Sequence, residues 1–500
     1  MYDALVIGSG MGGLGTAFFL AKAGMKVLVL EKNRQFGGAL QIFSREKQIL
    51  DTGVHYVGSL GKDEALGRYF RYFGIYEKLD FTQMDTDCYD RVCFRGEAPV
   101  HFAQGFEHHA GVLSQRFPHK HKEIHAYVKM LEEMPAQFPF FSFRPGETDA
   151  LANPYSGKNA FAYIHELTGG DAALTRALFG AGILYDFRPQ GTSLYTHGII
   201  MSSYIRSAWR FKKGGAQIAR QMLRAGRELG IEYRNYAEVT EIITDSEGVK
   251  GVKLGDGETI AARRIISNVH PRITLHLLKE NRFMRNSYIE RVRSLPDSLS
   301  CFSAQFVMRP DALAYENFNT YYTRSGGLPV YEKEGFPGTM GIFPSAEEDA
   351  QAFTRVLNVM TYMHPEETAA WNKSFRTEPH FTESRGADYE DFKNRKEEAI
   401  VQALEELYPG FGAGVQNVYS STPLTFRDYL GSPDGSLYGI LQDSSSPASS
   451  LFSPRTKVPG LFLTGQNLNL HGILGVSISS AVTAASILGS EWMESQMRTV

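Results

Sequence analysis

Cysteine and long apolar runs are scarce in this 500-residue sequence, and each scarcity excludes a class of protein. The three cysteines, Cys88, Cys93 and Cys301, form neither a CxxC pair nor a zinc-binding spacing. A disulfide-stabilised scaffold is therefore excluded, and a reducing compartment is expected. No run of eighteen or more apolar residues occurs. The nearest, residues 473–488, is diluted by Gly, Ser and Thr, so it predicts a packed helix rather than a membrane span.

Net charge is small as well, because 52 basic residues are balanced by 55 acidic ones and both signs are interspersed. Such a distribution lacks the basic patch that nucleic-acid binding requires. The first strand is predicted to begin at residue 2 or 3, which leaves no room for a signal or transit peptide before it. We therefore expect a cytoplasmic protein, with peripheral contact at the inner face of the membrane as the alternative.

Chain length and apolar content predict more than one core. Five hundred residues exceed what a single hydrophobic core usually serves, so two intertwined domains are expected. Hydrophobic residues make up 43% of the chain, which is enough to bury large cores. Aromatic residues make up 12%, nearly all of them Phe and Tyr. This composition suits either an apolar substrate tunnel or aromatic-rich cores.

Residues 2–38 have the pattern of a βαβ unit. An apolar strand over 4–7 leads into a glycine-rich turn, a helix and a second strand over 26–30. An acid, Glu31, ends the second strand about twenty residues after the turn, where a carboxylate accepts hydrogen bonds from both hydroxyls of a ribose. The register of these features predicts a dinucleotide-binding site.

The glycines of this turn have separate roles. Gly8 permits the tight turn, Gly10 lets the backbone approach a pyrophosphate, and Gly13 lets the helix pack close against the strand. The N-terminus of the helix then points its free N–H groups at the phosphates. The residues expected to contact the cofactor in this unit are Gly8, Gly10, Met11, Gly12, Gly13, Glu31 and Lys32.

A second glycine pair indicates which dinucleotide binds. Gly37 and Gly38 follow the ribose acid, and this arrangement resembles the extended fingerprint of the two-dinucleotide-binding-domain flavoproteins. In those proteins the pair lets the chain run close to FAD, and an arginine commonly follows it. Here Ala39 stands at that position. The charge of Glu31 would also repel the 2′-phosphate of NADP. FAD is therefore the predicted cofactor.

The order of patterns along the chain predicts a cofactor domain assembled from three separate segments, 1–78, 211–275 and 455–500. The intervening residues, 79–210 and 276–454, combine short strands with helices and predict a substrate-binding domain. Part of its helical region is a candidate for facing a membrane. The expected fold class is therefore α/β, with a Rossmann-like FAD-binding domain and a mixed sheet-and-helix domain.

Four phenylalanines, Phe138, Phe140, Phe141 and Phe143, fall within six residues and are interrupted by proline. An exposed cluster of this kind would dip into a membrane or gate a tunnel for an oily substrate. Aromatic side chains folded back onto their own core explain the same pattern equally well.

Motifs near the C-terminus resemble those of the phytoene desaturase family. They are the segment from Thr422-Pro423 to Gly439 and the strand end Leu463-Thr464-Gly465-Gln466, which accompany the N-terminal fingerprint and the helix after Gly214-Gly215. This family includes carotenoid desaturases, carotenoid isomerases and retinol saturase, and the resemblance covers essentially the whole chain. The Thr464-Gly465-Gln466 end looks closer to retinol saturase than to the carotenoid desaturases.

The resemblance implies further cofactor contacts. It implies that Val239 contacts the adenine through its backbone, and that Gly465, followed by Gln466, lies beside the pyrophosphate. It also implies that Gly475 and Val476 open the last helix near the pyrimidine ring of the flavin. A helix N-terminus at that place would stabilise negative charge on reduced flavin.

The implied activity is that of an FAD-dependent oxidoreductase acting on carbon–carbon double bonds of a polyene or isoprenoid lipid. Saturation, desaturation and isomerisation all remain open, with hydride transfer at flavin N5. An apolar small molecule and an external electron donor or acceptor are the implied partners. A flavin amine oxidase is a second interpretation, which the absent Gly-Gly-Arg disfavours. A non-catalytic prenyl-lipid carrier on the same fold is a third, which the intact FAD motif disfavours.

Saturation of a double bond also needs a proton donor. His471, Tyr438 and His55 are the candidates, with Tyr56 beside them, because they lie near flavin-facing motifs. Satisfaction by the backbone of a tight loop is the alternative for His471, and a structural role is the alternative for His55.

Three further histidines, His119, His121 and His125, have a metal-like spacing. No carboxylate triad or cysteine accompanies them, and lysines flank them. We therefore expect a solvated face and no metal site there.

Overall fold

The structure, a computed structural model, describes residues 1–138, 140–144, 154–279, 282–347, 351–376, 385–468 and 470–500. Within these ranges the strands are β1 (Ala4–Ile7), β2 (Val27–Leu30), β3 (Ile42–Arg45), β4 (Gln48–Asp51), β5 (Val57–Gly58), β6 (Phe81–Gln83), β7 (Asp90–Phe94), β8 (Val100–Phe102), β9 (Ala208–Phe211), β10 (Glu232–Arg234), β11 (Val239–Thr244), β12 (Val249–Leu254), β13 (Thr259–Ala261), β14 (Ile265–Ser267), β15 (Ser300–Met308), β16 (Asn319–Thr323), β17 (Thr339–Pro344), β18 (Val356–Met363), β19 (Val415–Ser421) and β20 (Leu461–Leu463).

The helices of the same ranges are α1 (Met11–Lys22), α2 (Ala65–Tyr72), α3 (Phe106–Arg116), α4 (His121–Glu133), α5 (Ala160–Leu167), α6 (Ala172–Leu178), α7 (Leu194–Arg206), α8 (Ala216–Glu228), α9 (Pro271–Leu277), α10 (Asn286–Ser294), α11 (Ala387–Glu405), α12 (Phe411–Gly414), α13 (Pro423–Leu430), α14 (Pro447–Ser450), α15 (Gly472–Leu488) and α16 (Ser490–Met497). Short 3₁₀ helices cover Gly38–Leu40, Tyr76–Lys78, Pro118–Lys120, Met134–Gln137, Gly182–Tyr185 and Pro365–Trp371.

A parallel five-stranded sheet, in the order β10-β2-β1-β14-β20, forms the base of the dinucleotide unit. The sequences of β1 and β2, ALVI and VLVL, are buried along their whole length, as expected where helices cover both faces of a parallel sheet. α1 contributes Ala17 and Leu20 to the core on one face, and Gly15 of α1 lets α15 approach closely at Ser480. Because all five strands run the same way, the loops after β1, β2, β14 and β20 meet at one edge.

A mixed seven-stranded sheet, in the order β19-β15-β18-β17-β16-β7-β8, forms the second large layer. Its neighbouring strands are antiparallel except β16 and β7, which run parallel. Met340 and Val359 lie on the face that α11 covers. Phe343 is three positions from Met340, and Met360 is one position from Val359, so both lie on the opposite face. That opposite face borders the candidate active site, because Phe343 and Met360 line its cavity.

Side-chain caps fix where several helices begin. Asn159, Asp171 and Ser193 accept hydrogen bonds from backbone N–H groups in the first turns of α5, α6 and α7. Thr422 caps α13, and Pro423 occupies the first helical position, where a missing N–H costs nothing. The Thr422-Pro423 motif is therefore a helix start.

The phenylalanine cluster folds onto the core. Phe141 and Phe143 are buried, while Phe138 and Phe140 are half-buried and pack against the same core. Phe143 contacts three rings of α1 and α2, namely Phe19, Tyr69 and Tyr72. Pro139 lies outside the described residues. The hypothesis of an exposed lip is therefore wrong for Phe141 and Phe143, because their apolar surface is already used for packing.

The α/β class predicted from the sequence is confirmed, with a Rossmann-like sheet beside a mixed one. All strands of the five-stranded sheet fall in the segments 1–78, 211–275 and 455–500. The domain boundaries themselves stay a prediction. In the described ranges, no helix combines the length and the apolarity needed to cross a membrane.

Candidate active site

A cavity of about 490 Å³ is lined by residues of both large sheets. One end lies at the edge where β1, β2, β14 and β20 finish, and the other lies under β17, β18 and α7. Among the residues predicted to contact the cofactor, thirteen line this cavity: Gly8, Gly10, Met11, Gly12, Glu31, Lys32, Gly37, Gly38, Ala39, Val239, Gln466, Gly475 and Val476. All three candidate proton donors, His55, Tyr438 and His471, line it as well.

Two predicted contact residues, Gly13 and Gly465, do not line the cavity but shape its wall. A Cβ atom on Gly13 would lie 2.2 Å from the Gly8 carbonyl oxygen, far inside van der Waals contact, so the absence of a side chain lets α1 lie close to β1. A Cβ atom on Gly12 would lie 2.7 Å from the Cα atom of Gly465. Gly465 adopts a φ of +93°, which favours glycine. Because Gly12 and Gly465 lack side chains, the start of α1 and the loop after β20 can lie against each other beneath the turn.

Asn268, just after β14, is a central residue of this wall that the sequence analysis missed. Its side-chain amide donates to the Gly8 carbonyl oxygen at 3.4 Å. Cβ atoms added at Gly10, Gly12 or Gly465 would all come within 3.0 Å of its side-chain amide. Asn268 therefore joins the N-terminal turn to the C-terminal one. Only the folded chain brings these segments together, because 197 positions separate Asn268 from Gly465 in the sequence.

Glu31 is fixed before any ligand binds. Its carboxylate accepts hydrogen bonds from the Ser9 backbone N–H at 3.1 Å, the Ser9 hydroxyl at 2.6 Å and the Asn33 backbone N–H at 2.9 Å. The side chain of Glu31 is held at the cavity wall, and the residue is only 6% exposed. The Ser9 hydroxyl also accepts from the Gly37 N–H at 3.0 Å, which ties the second glycine pair to the same cluster. The arrangement presents a fixed acceptor at the end of β2.

The remaining contacts at this end come from Lys32 and the last long helix. Lys32 donates through Nζ to the backbone carbonyl of Asp428 at 2.8 Å, so its ammonium group connects β2 to α13. α15 begins at Gly472, with His471 as its N-cap residue, and not at Gly475 as predicted. Gly472 adopts a φ of +72°, a conformation that favours glycine. Gly475 still faces the cavity, packed against Leu470.

His471 and Tyr438 form a stacked pair, with ring centroids 4.1 Å apart. His471 donates from Nε2 to the Leu184 carbonyl oxygen at 3.0 Å, and Tyr438 donates its hydroxyl to the Ile183 carbonyl oxygen at 2.8 Å. Burial lowers the pKa of His471 to about 4 and raises that of Tyr438 well above its usual value. Both side chains are therefore neutral near pH 7 and use their protons to hold the turn at 183–184.

His55 differs from the other candidates because it has no hydrogen-bond partner among the described residues. Both ring nitrogens are buried without one, and the ring stacks on Phe343 at 4.7 Å. Burial, and then the charge of Arg210, lower the pKa of His55 to about 4, so the imidazole is neutral near pH 7. A buried polar ring without a partner at a cavity wall is the kind of group that a bound ligand satisfies.

Tyr56 leads away from the cavity into a buried polar network that the sequence analysis did not detect. Its hydroxyl donates to Asp90 Oδ2 at 2.9 Å and lies 2.6 Å from the Tyr321 hydroxyl. Asn319 bonds the other oxygen of Asp90 at 2.8 Å and accepts from Arg210 at 2.8 Å. Asp90 is 1% exposed, and its burial raises the pKa of the carboxyl to about 7. The Tyr56 ring thus lines the cavity while its hydroxyl is committed to this network.

The titration of Asp90 predicts a specific pH dependence of stability. The carboxyl ionises near pH 4 in an unfolded chain and near pH 7 in the folded protein, so the native state holds an extra proton between those values. Its contribution to the free energy of unfolding is therefore present at pH 4 and is lost as the pH rises to 7. We expect the melting temperature of Asp90→Asn to fall less than that of the wild type between pH 5 and 7.

Asp63→Asn is the control for this experiment, because Asp63 is an exposed carboxylate that pairs with Arg71 at the surface. It should keep the wild-type slope. Buried histidines whose pKa values are lowered make the protein more stable as the pH rises, which is opposite to the effect of Asp90. The quantity to compare is therefore the difference between the wild type and Asp90→Asn in how the melting temperature changes with pH. Identical slopes for wild type and Asp90→Asn would contradict the assignment.

The residues at the sheet edge fit a dinucleotide. The turn at Gly8 to Gly12 has no side chain beyond Ser9 and Met11, and two helix N-termini, those of α1 and α15, line the cavity. Free N–H groups at helix N-termini bind phosphate and other anions. Glu31 supplies the acceptor for a ribose. In the described ranges no three metal-ligating side chains cluster, and His119 instead bonds Asp171 at 3.2 Å.

Sequence comparison identifies relatives over the whole chain. A family model for an NAD(P)-binding Rossmann-like domain matches residues 6–73. All-trans-retinol 13,14-reductase of Rattus norvegicus is 26% identical over 97% of this chain and 85% of its own length. The chloroplastic prolycopene isomerase of Arabidopsis thaliana is 23% identical over 100% and 85%, and a 4,4′-diapolycopene oxygenase of Methylomonas is 21% identical over 94% of both chains. Over nearly its whole length the chain is therefore similar to enzymes that are named for retinoids and carotenoids.

Solved structures share the fold of this chain. An oxidoreductase from Methanosarcina mazei superposes with a TM-score of 0.65 at 15% identity, covering 97% of this chain and 99% of that one. Putrescine oxidase bound to putrescine superposes with a TM-score of 0.63 at 14% identity, covering 97% and 99%. At these identities the similarity concerns the fold alone. The chain thus shares its fold with putrescine oxidase.

Proposed function

We propose that this protein is an FAD-dependent reductase of carbon–carbon double bonds in a polyene or isoprenoid lipid. The observation that carries the proposal is the single cavity that joins a dinucleotide site to an apolar chamber. FAD would be held by the glycine turn, Glu31, the second glycine pair and the N-terminus of α15. Bound FAD supplies hydride transfer at its N5 atom. An external electron donor would reduce it between turnovers.

The chamber beyond the sheet edge is suited to an apolar chain. Its walls include Ile199 and Ile200 of α7, Phe343 of β17 and Met360 of β18. Such side chains exclude water and hold a flat, extended molecule by burial of apolar surface. Exclusion of water strengthens the electrostatic interactions that act on the reacting carbons. The chain's contribution to the reaction is therefore to orient a double bond and keep the site dry.

The distribution of charge in the lining favours a polyene over an amine. The charged side chains among the described lining residues are Glu31, Lys32 and Glu238, and all three lie at the dinucleotide end. An ammonium substrate in the chamber would face a neutral wall, and an unpaired buried charge is costly. The amine oxidase interpretation shares the fold but lacks a partner for the substrate's charge here.

A substrate panel tests the proposal. Purified protein with FAD is incubated with a reductant and all-trans-retinol or a linear carotene, and separately with dioxygen and putrescine, and products are identified by mass spectrometry. We expect a polyene product that has gained two hydrogen atoms and no oxidation of putrescine. Ile200→Asp, which puts a carboxylate in the chamber wall, should lose polyene turnover while keeping flavin. Oxidation of the amine with no change in either polyene would overturn the proposal.

A further inference from the structure

A second, smaller cavity lies directly behind the stacked Tyr438–His471 pair. Its volume is about 30 Å³, which is room for one or two water molecules. It shares four lining residues with the main cavity, namely Tyr438, Gln466, Leu470 and His471. One layer of side chains therefore separates the two spaces.

Asp186 provides this small cavity with a buried, unsatisfied carboxyl oxygen. The residue is 3% exposed and lines the cavity. Its Oδ2 accepts from the Leu299 backbone N–H at 2.9 Å, whereas Oδ1 has no hydrogen-bond partner among the described residues. A buried carboxyl oxygen without a protein partner beside a space of this size is a site for an ordered water. The hydroxyl groups of Thr192, Thr196 and Ser298 belong to the same lining.

The backbone connects Asp186 to the wall of the main cavity. The carbonyl groups that hold Tyr438 and His471 belong to Ile183 and Leu184, three and two residues before Asp186. Asp186 adopts a φ of +52°, a left-handed conformation that Asp tolerates better than most residues. This turn thus fixes the stacked pair on one side and directs a carboxyl group into the small cavity on the other.

We propose that Asp186, acting through water in the small cavity, supplies the proton that completes reduction of the double bond in the main cavity. The proposal rests on the proposed function, since only reduction consumes a proton at carbon. When bound, reduced flavin would supply a hydride to one carbon of the double bond, and the π electrons would move to the other carbon. That carbon would take the proton of the Tyr438 hydroxyl, which lines both cavities, and the phenolate would take a proton from water in the small cavity. The hydroxide left behind would take the proton of Asp186, and solvent would restore that proton before the next turnover.

The surroundings allow Asp186 to store a proton. Burial raises the pKa of its carboxyl, while the Leu299 N–H and the charge of Arg188 oppose that change. The other titratable groups that face it, Tyr362 and Tyr438, have pKa values raised far above neutrality and stay uncharged. His471 is neutral above pH 4 and already donates to Leu184, which makes it a poor donor itself. Asp186 is therefore the carboxyl group at this wall whose burial raises its pKa and favours the protonated form.

Asp186→Asn tests the role, because the amide oxygen can still accept from Leu299 but the side chain has no acidic proton. We expect flavin content and melting temperature to match the wild type, and the rate of polyene reduction to fall at least about 10-fold. The wild-type rate should decline as the pH rises and Asp186 ionises, whereas the variant should lack that step. Infrared spectra of the protein without substrate should show a protonated carboxyl band that Asp186→Asn removes.

Two further variants keep the result decisive. Asp51→Asn is the matched control, because Asp51 is a buried carboxyl with one backbone partner, Gly215, and lines neither cavity. It should reduce polyenes at the wild-type rate. Thr196→Val, which keeps the volume but removes a hydroxyl from the small cavity, should slow reduction severalfold. If Asp186→Asn reduced polyenes as fast as an active wild type and its infrared spectrum were unchanged, the role of Asp186 would be overturned, but the proposed function would stand. A wild type that reduces no polyene would instead overturn the proposed function.

Discussion

Glu31→Ala is expected to purify almost without flavin. The substitution removes the carboxylate that would bind two ribose hydroxyls and leaves the Ser9 and Asn33 N–H groups without their acceptor. Hydrogen bonds to a charged group contribute about 1.5–3 kcal/mol each, so the loss of two predicts roughly 100-fold weaker flavin binding or more. The visible absorbance per mole of protein after gel filtration, followed by titration with FAD, measures the effect.

Glu232→Ala is the matched control for this experiment. Glu232 lies on β10, next to β2 in the same sheet, but it is half exposed and pairs with Lys26 outside the cavity. Its removal should leave flavin binding unchanged, because exposed ion pairs contribute little. Full flavin occupancy in Glu31→Ala would show that the ribose lies elsewhere and that the cofactor is wrongly placed.

Among substitutions that add a single methyl group in the N-terminal unit, Gly13→Ala is expected to destabilise the protein most. The new Cβ atom would overlap the Gly8 carbonyl oxygen, and backbone cannot move aside as a flexible side chain can. Separating α1 from β1 would also disturb the turn that approaches the pyrophosphate. We expect a loss of about 3 kcal/mol or more of stability together with weak flavin retention. Thermal melting with and without added FAD measures both effects.

Gly111→Ala also replaces glycine by alanine, but it is expected to leave the protein as stable as the wild type or to stabilise it. Gly111 lies inside α3 with open space around its Cα atom, so alanine meets no neighbouring atom. Alanine favours a helix by up to about 1 kcal/mol over glycine, and the melting temperature should hold or rise. Equal melting temperatures for the Gly13 and Gly111 variants would contradict the packing described for the turn.

Local patterns made the dinucleotide unit predictable from the sequence. The glycine spacing, the two apolar strands and Glu31 belong to one short stretch, so their geometry follows from neighbouring residues. The close packing predicted at Gly13 agrees with the position that a Cβ atom would take there. The family resemblance added the C-terminal contacts Gln466, Gly475 and Val476, all of which line the cavity.

The rest of the site depends on contacts between distant segments. Asn268 meets the turns at Gly8 and Gly465, and Asp90 meets Tyr56 and Asn319, only after the sheets have formed. β16 escaped detection because its sequence, NTYYT, is rich in polar groups although all five residues are buried. Asp186 carries no sequence signal at all, since its orphan oxygen is visible only beside the cavity that receives it.

The most direct test of the central claim is an anaerobic half-reaction. The protein is reconstituted with FAD, reduced without oxygen, and mixed with all-trans-retinol or a linear carotene while the flavin absorbance is recorded. Our account predicts that the polyene reoxidises the flavin and is recovered with one double bond fewer. Reduced flavin that persists in the presence of every polyene, or a protein that binds no flavin, would contradict it.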